Sequence, residues 1–139
     1  MPDMVLYTAE AVSTGDGRNG HVTSSDQRID LDLAIPAEMG GTGAGSNPEQ
    51  LFAAGYAACF HSALRVVAGR QHTPLGDSTV TAQVGIGPEG DAFGLVVTLV
   101  IHVPGLERDK VREFADEANK VCPYSRATRG NISVELRVL

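Results

Sequence analysis

From Gln50 to Leu64 the chain carries no Asp, Glu, Lys or Arg. Asn47 is a good N-cap ahead of this run, Pro48 suits the first helical position, and Gln50 can reach back to the cap. A helix is therefore expected from Asn47 onward, with Gly69 as a natural place to end. A helix that is apolar around nearly its whole circumference needs cover on nearly every side. One sheet face cannot supply that, and 139 residues leave little chain over for it. A second copy is the expected source, which predicts a symmetric homodimer.

The flanking segments read as strands and one more helix. "MVLYTAEAV" is strand-like, "HVTSS" reads as a short strand, and "RIDLDLAI" alternates with Ile29, Leu31, Leu33 and Ile35 on one face. The glycine-rich "EMGGTGAGSNP" reads as a flexible internal loop. "STVTAQVGI" and "AFGLVVTLVIHV" form a hairpin through "GPEGD". Val111, Phe114, Ala115, Ala118, Val121 and Cys122 then recur at helical spacing opposite a charged face until Pro123 stops the pattern. Ile132, Val134, Leu136 and Val138 mark a closing strand. The order β-β-β-α-β-β-α-β predicts one α+β domain over residues 1–139, with a mainly antiparallel sheet and a central apolar helix.

The formal net charge of -6, with scattered basic residues, argues against a nucleic acid partner. The N-terminus lacks a secretory pattern, and the apolar strand "LVVTLVIHV" is too short to span a bilayer. The expectation is a soluble cytoplasmic protein with no membrane partner. Two cysteines half a chain apart are too few for a disulfide scaffold, so any shared role is redox chemistry.

Those cysteines are Cys59, about three turns into the apolar helix, and Cys122, on the apolar face of the second helix at its last turn. Burial raises the pKa of Cys59, and the helix N-terminus is too distant to help. Taken alone, Cys59 reads first as a small buried hydrophobe. Both point toward one core, however, and Pro123 loosens the backbone beside Cys122, so an approach to disulfide distance is open. Metal fits poorly, because Cys59 and His61 at i and i+2 face apart on a helix. His61 reads as an interior or interface side chain, and His21, His72 and His102 as ordinary strand or loop residues. There is no Cys-x-x-Cys for a thioredoxin-like site. Arg18 reads first as a solvated hairpin residue, and Glu49 as an acid favoured in a first helical turn.

Three blocks carry a resemblance: "GRNGHV", "GGTGAGSNPEQLFAAGYAACF" and "VCPYSRATRGNI". In this order they resemble the organic hydroperoxide resistance (Ohr) branch of the OsmC/Ohr family, nearly end to end. The resemblance implies an OsmC/Ohr-like fold in an intertwined homodimer with two active sites at the subunit interface. It implies that Cys59 is the peroxidatic cysteine and Cys122 the resolving one. Arg18 would stabilise the thiolate, and Glu49 would hold Arg18 by an ion pair. The implied substrates are alkyl and fatty acid hydroperoxides. No cofactor is bound, and electrons come from a lipoylated protein or a dihydrolipoamide-type dithiol.

Apolar surroundings suit such a substrate, since burying an alkyl tail contributes about 0.8 kcal/mol per methylene. Phe52, Phe60, Tyr124 and Met39 are the residues expected to line the entrance. Glu49 and Cys59 are about 15 Å apart along one straight helix, so Glu49, with Arg18, is expected to meet Cys59 of the other subunit. The rival readings are a redox sensor or binding module using the same thiols without turnover, and a structural dimer with inert thiols.

Overall fold

The computed structural model describes residues 1–139, which divide into two compact units, Met1–Pro48 and Glu49–Leu139. The first unit is built on a three-stranded antiparallel sheet in the order β1-β2-β3, with β1 at Ala11–Thr14, β2 at His21–Ser24 and β3 at Asp30–Asp32. The strand expected to start at Met4 starts instead at Ala11. Ala11 pairs with Ser24, the last residue of β2, so the residues before it run past the end of their partner strand. Met4, Val5, Leu6 and Tyr7 are exposed there.

Cross-strand chemistry ties β2 to β3. His21 Nδ1 lies 2.7 Å from an Asp32 oxygen and its Nε2 lies 2.6 Å from an Asp30 oxygen. The Thr23 hydroxyl also donates to Asp30 at 3.2 Å. His21, read from the sequence as an ordinary strand residue, is thus gripped by two carboxylates, which raise its pKa.

The glycine-rich loop is not slack. The amides of Gly41 and Gly43 donate to the carbonyls of Pro36 and Ile35 at 3.0 and 2.9 Å. Gly41 passes so close to Ile35 that a Cβ there would meet its carbonyl oxygen at 2.0 Å. Glycine is required here by close approach rather than by mobility.

The second unit packs the sheet β4-β5-β6 against helices. α1 spans Pro48–Arg70, β4 Thr79–Glu89, β5 Ala92–His102, α2 Arg108–Val121, α3 Pro123–Thr128 and β6 Val134–Val138. β4 and β5 pair antiparallel and β5 and β6 pair parallel. The hairpin turn is tighter than "GPEGD" suggested: Gly87, Pro88 and Glu89 belong to β4, and only Gly90 and Asp91 lie between the strands. Pro88 is tolerated because β4 is an edge strand, where a missing N–H breaks no inner ladder.

The helix α1 runs one residue beyond Gly69. Its end is a Schellman motif, with the Thr73 amide bonded to the Ala68 carbonyl and the His72 amide to the Gly69 carbonyl. The left-handed position falls on His72, with φ 54°, rather than on a glycine. By length and composition α1 could cross a bilayer. It is instead the core helix of this unit: Tyr56, Phe60 and Leu64 are wholly buried with Phe114 and Val111 of α2 and Val97, Leu99 and Ile101 of β5. Each large side chain buried in this way contributes about 1.5–3 kcal/mol.

Candidate functional site

Cys59 and Cys122 meet. Cys59 lies three residues after buried Tyr56 and five before buried Leu64 on α1, so its sulfur is carried against the same core while staying partly exposed. Cys122 is wholly buried. It closes α2, bonding its amide to the Ala118 carbonyl, and in the same extended conformation (φ -62°, ψ 123°) it precedes α3. Pro123 therefore does more than end a helix. Its missing N–H and fixed φ also start one, and α3 is an element that the periodicity of the sequence did not reveal. The chain turns at Cys122, and the turn aims its thiol at Cys59: the Cys122 Sγ donates to the Cys59 Sγ across 3.4 Å. The two sulfurs are in contact without being bonded to each other.

The same turn delivers a second group. The backbone N–H of Tyr124, two residues into the reversal, acts on the Cys59 sulfur. Burial pushes the Cys59 thiol above its ordinary pKa, as its place in the helix implied; the Tyr124 amide pulls it down, and the neighbouring Cys122 adds to the rise. A main-chain donor leaves no trace in residue identity. The one available signal was Pro123, which marks a first helical turn whose next amides are free to bond elsewhere.

α3 is fastened to α1 from below. The buried Tyr56 hydroxyl lies 2.8 Å from the Ser125 hydroxyl and 3.3 Å from that of Thr128. Phe52, Tyr56 and Tyr124 stack edgewise, with ring centroids 5.6–6.2 Å apart. Beside this cluster opens a largely apolar cavity of about 290 Å³, lined by Phe52, Leu95, Tyr124, Ala127, Thr128, Asn131 and Ile132. Two of the four expected entrance residues, Phe52 and Tyr124, thus wall a cavity. Phe60 is wholly buried in the core, and Met39 sits exposed in a short 3-10 turn of the first unit, Ala37–Met39.

Arg18 stands half-buried in another 3-10 turn of the first unit, Gly17–Asn19, and Glu49 half-buried in the first turn of α1. His61 turns away from the thiols to Ser78, at 2.8 Å, a hydroxyl to which Arg65 also donates at 3.3 Å. Burial, followed by the Arg65 charge, lowers the pKa of His61.

A pair of thiols in contact, one of them half-buried, can take up an oxidising equivalent and store it as a disulfide. Comparison with known proteins agrees with that capacity. The OsmC-like protein family model matches residues 41–137. The organic hydroperoxide resistance protein of Xanthomonas axonopodis pv. citri is 51% identical over 97% of this chain and 96% of its own. The crystal structure of the organic hydroperoxide resistance protein OhrB of Bacillus subtilis superposes with a TM-score of 0.88 at 45% identity, covering 97% of this chain and all of that one. That of an organic hydroperoxide resistance protein from Legionella pneumophila gives 0.91 at 48% identity, covering 97% and 98%. The chain belongs to the OsmC/Ohr family, in the organic hydroperoxide resistance branch, whose members are cysteine-based organic hydroperoxide peroxidases.

Proposed function

We propose that Cys59 is the peroxidatic and Cys122 the resolving cysteine of an organic hydroperoxide reductase working through an intramolecular disulfide. The observation that carries this reading is the 3.4 Å separation of the two sulfurs. The Cys59 thiolate attacks the outer peroxide oxygen, the O–O bond breaks, and the alkoxide leaves as an alcohol after taking up a proton. Cys59 is then a sulfenic acid. Cys122 attacks it, releasing water and closing the disulfide before further oxidation. A dithiol reopens the bridge by exchange, through a mixed disulfide, and leaves as its own cyclic disulfide.

The alkyl tail of the substrate lies in the cavity walled by Phe52, Tyr124, Leu95 and Ile132. Hydrogen peroxide has no tail to place there. A lipoyl dithiol, itself carried on an apolar chain, suits the same entrance better than a charged thiol does. Arg18 offsets the desolvation of the Cys59 thiolate, and Glu49 holds the guanidinium through a two-pronged pair that a lysine could not match. α1 is uninterrupted from Pro48 to Arg70, so Glu49 lies about 15 Å from Cys59 along its axis. Glu49 and Arg18 therefore serve Cys59 of a second copy in a homodimer. An exposed stripe on α1 formed by Ala54, Ala58, Ser62 and Val66 supports that pairing. Residues 1–139 act as one domain in the cytoplasm.

The test mixes reduced protein with tert-butyl hydroperoxide and dihydrolipoamide, then follows peroxide loss and intact mass. Sustained turnover is expected. Loss of two hydrogens without turnover would make the pair a redox sensor instead, and no change would make the thiols inert.

A further inference from the structure

Two links join α1 to the start of α3. Cys59 meets Cys122, sulfur to sulfur, at 3.4 Å. Three residues before Cys59 on α1, the Tyr56 hydroxyl lies 2.8 Å from that of Ser125, three residues after Cys122, and 3.3 Å from that of Thr128. Cys122 caps α3 and its carbonyl accepts the Arg126 amide at 3.0 Å, so Ser125 stands in the turn that Cys122 opens. Residues three apart share a helix face. The hydroxyl link therefore runs beside the sulfur contact.

The hydroxyl at position 56 is not needed to fill the core. Across residues 51–60 no other side chain of α1 carries one, and Phe60, equally buried, packs without it. Burying a phenol oxygen is unfavourable unless it finds a partner. Both of its partners here lie on α3, and both are buried. Thr128 in turn donates to the carbonyls of Tyr124 and Ser125, so the grip extends over the short helix.

We propose that Tyr56 is a positioning residue for disulfide closure: by holding Ser125 it keeps the Cys122 sulfur within reach of Cys59 while the sulfenic acid lasts. The inference rests on the peroxidatic and resolving roles proposed above. In the step concerned the Cys122 thiolate attacks the Cys59 sulfenic sulfur, the S–S bond forms, the S–O bond breaks, and hydroxide leaves as water with the proton that Cys122 gave up. A second hydroperoxide molecule competes by oxidising the sulfenic acid to sulfinic acid and leaving as its alcohol. Closure is intramolecular, so its rate depends on how closely the two sulfurs are held. Overoxidation instead rises with peroxide concentration.

The test reads that competition. Reduced protein is mixed with increasing tert-butyl hydroperoxide, and intact mass gives the fractions carrying a disulfide and a sulfinic acid. The ratio is fixed after the sulfenic acid has formed, so it does not depend on the rate of the first oxidation. In Tyr56→Phe the peroxide concentration that overoxidises half the protein should fall about fivefold, the weight of one hydrogen bond. Ser125→Ala should move it the same way, and Tyr56→Phe should then add less than it does alone. Ile101→Val, a core change on β5 that touches neither hydrogen bond, should keep the wild-type value. An unchanged value in Tyr56→Phe, a full additional shift in the Ser125→Ala background, or an equal shift in Ile101→Val overturns the proposal. If Tyr56→Phe does not fold, an unchanged value in Ser125→Ala overturns it. Failure of the peroxidase reading would show separately, as wild-type protein that forms no disulfide at any peroxide concentration.

Discussion

The Cys122 sulfur lies 3.4 Å from that of Cys59, although 63 residues separate the two in the chain. A disulfide needs about 2.05 Å between sulfurs, so closing the bond asks for a movement of little more than one ångström. Cys122 sits where α2 ends and α3 begins, so that movement falls on a junction rather than on the middle of a helix. Oxidation should therefore leave the core packed, and the circular dichroism of the oxidised and reduced proteins should match in the far ultraviolet.

Removing either thiol should have a different signature. Cys59→Ser should lose peroxide consumption altogether. Cys122→Ser should react once and then stall, its mass rising by about 32 or 48 Da as the unprotected sulfenic acid is driven to sulfinic or sulfonic acid. Intact-mass spectrometry after excess peroxide checks both.

Narrowing the cavity should discriminate between substrates. Ile132→Trp fills part of the space beside Phe52, Leu95 and Tyr124. The KM for a long-chain hydroperoxide should rise severalfold while that for tert-butyl hydroperoxide changes little, because only the longer tail needs the space. Steady-state kinetics with the two substrates reads this.

Tyr56→Phe deletes one hydroxyl and leaves Ser125, itself buried, without that partner. The expected loss is about 1–3 kcal/mol, the cost of an unmet buried hydrogen bond, measured by urea denaturation. Since α3 carries the Tyr124 amide, the same variant should also slow peroxide reduction at neutral pH.

The His21 clamp gives a stability window. His21 has a raised pKa, chiefly from its hydrogen bonds to Asp30 and then Asp32, so its contribution is complete below about 6.5 and fades as pH rises through the raised value. Asp30 has a lowered pKa, chiefly from His21, so its contribution is present above about 3.8 and fades as pH falls through the lowered value. The hairpin of β2 and β3 should hold best between these limits. Hydrogen exchange of its amides across pH should show the maximum in wild type and lose it in His21→Gln.

Much of this arrangement could be read from residue order alone. The uncharged run of residues 50–64 in α1, amphipathic α2 and the alternation of β6 each follow from patterns local to their own segments, and both thiols were visible as members of apolar faces. What escaped depends on atoms that residue type does not encode. α3 is six residues long, too short for periodicity to register. The Tyr124 amide is main chain, and the left-handed end of α1 falls on His72, where glycine would be the usual occupant. The first strand starts late because pairing partners, not propensity, set where a strand begins.

The central claim is that an oxidising equivalent taken from an organic hydroperoxide at Cys59 passes to Cys122 of the same chain. One equivalent of tert-butyl hydroperoxide added to reduced protein, followed by acid quench, digestion and mass spectrometry, measures this directly. A single cross-linked peptide pair containing Cys59 and Cys122, formed as the alcohol appears and cleared by dihydrolipoamide, is the predicted result. Both cysteines still reduced while the peroxide disappears, or a bridge joining Cys59 to Cys59, would contradict it.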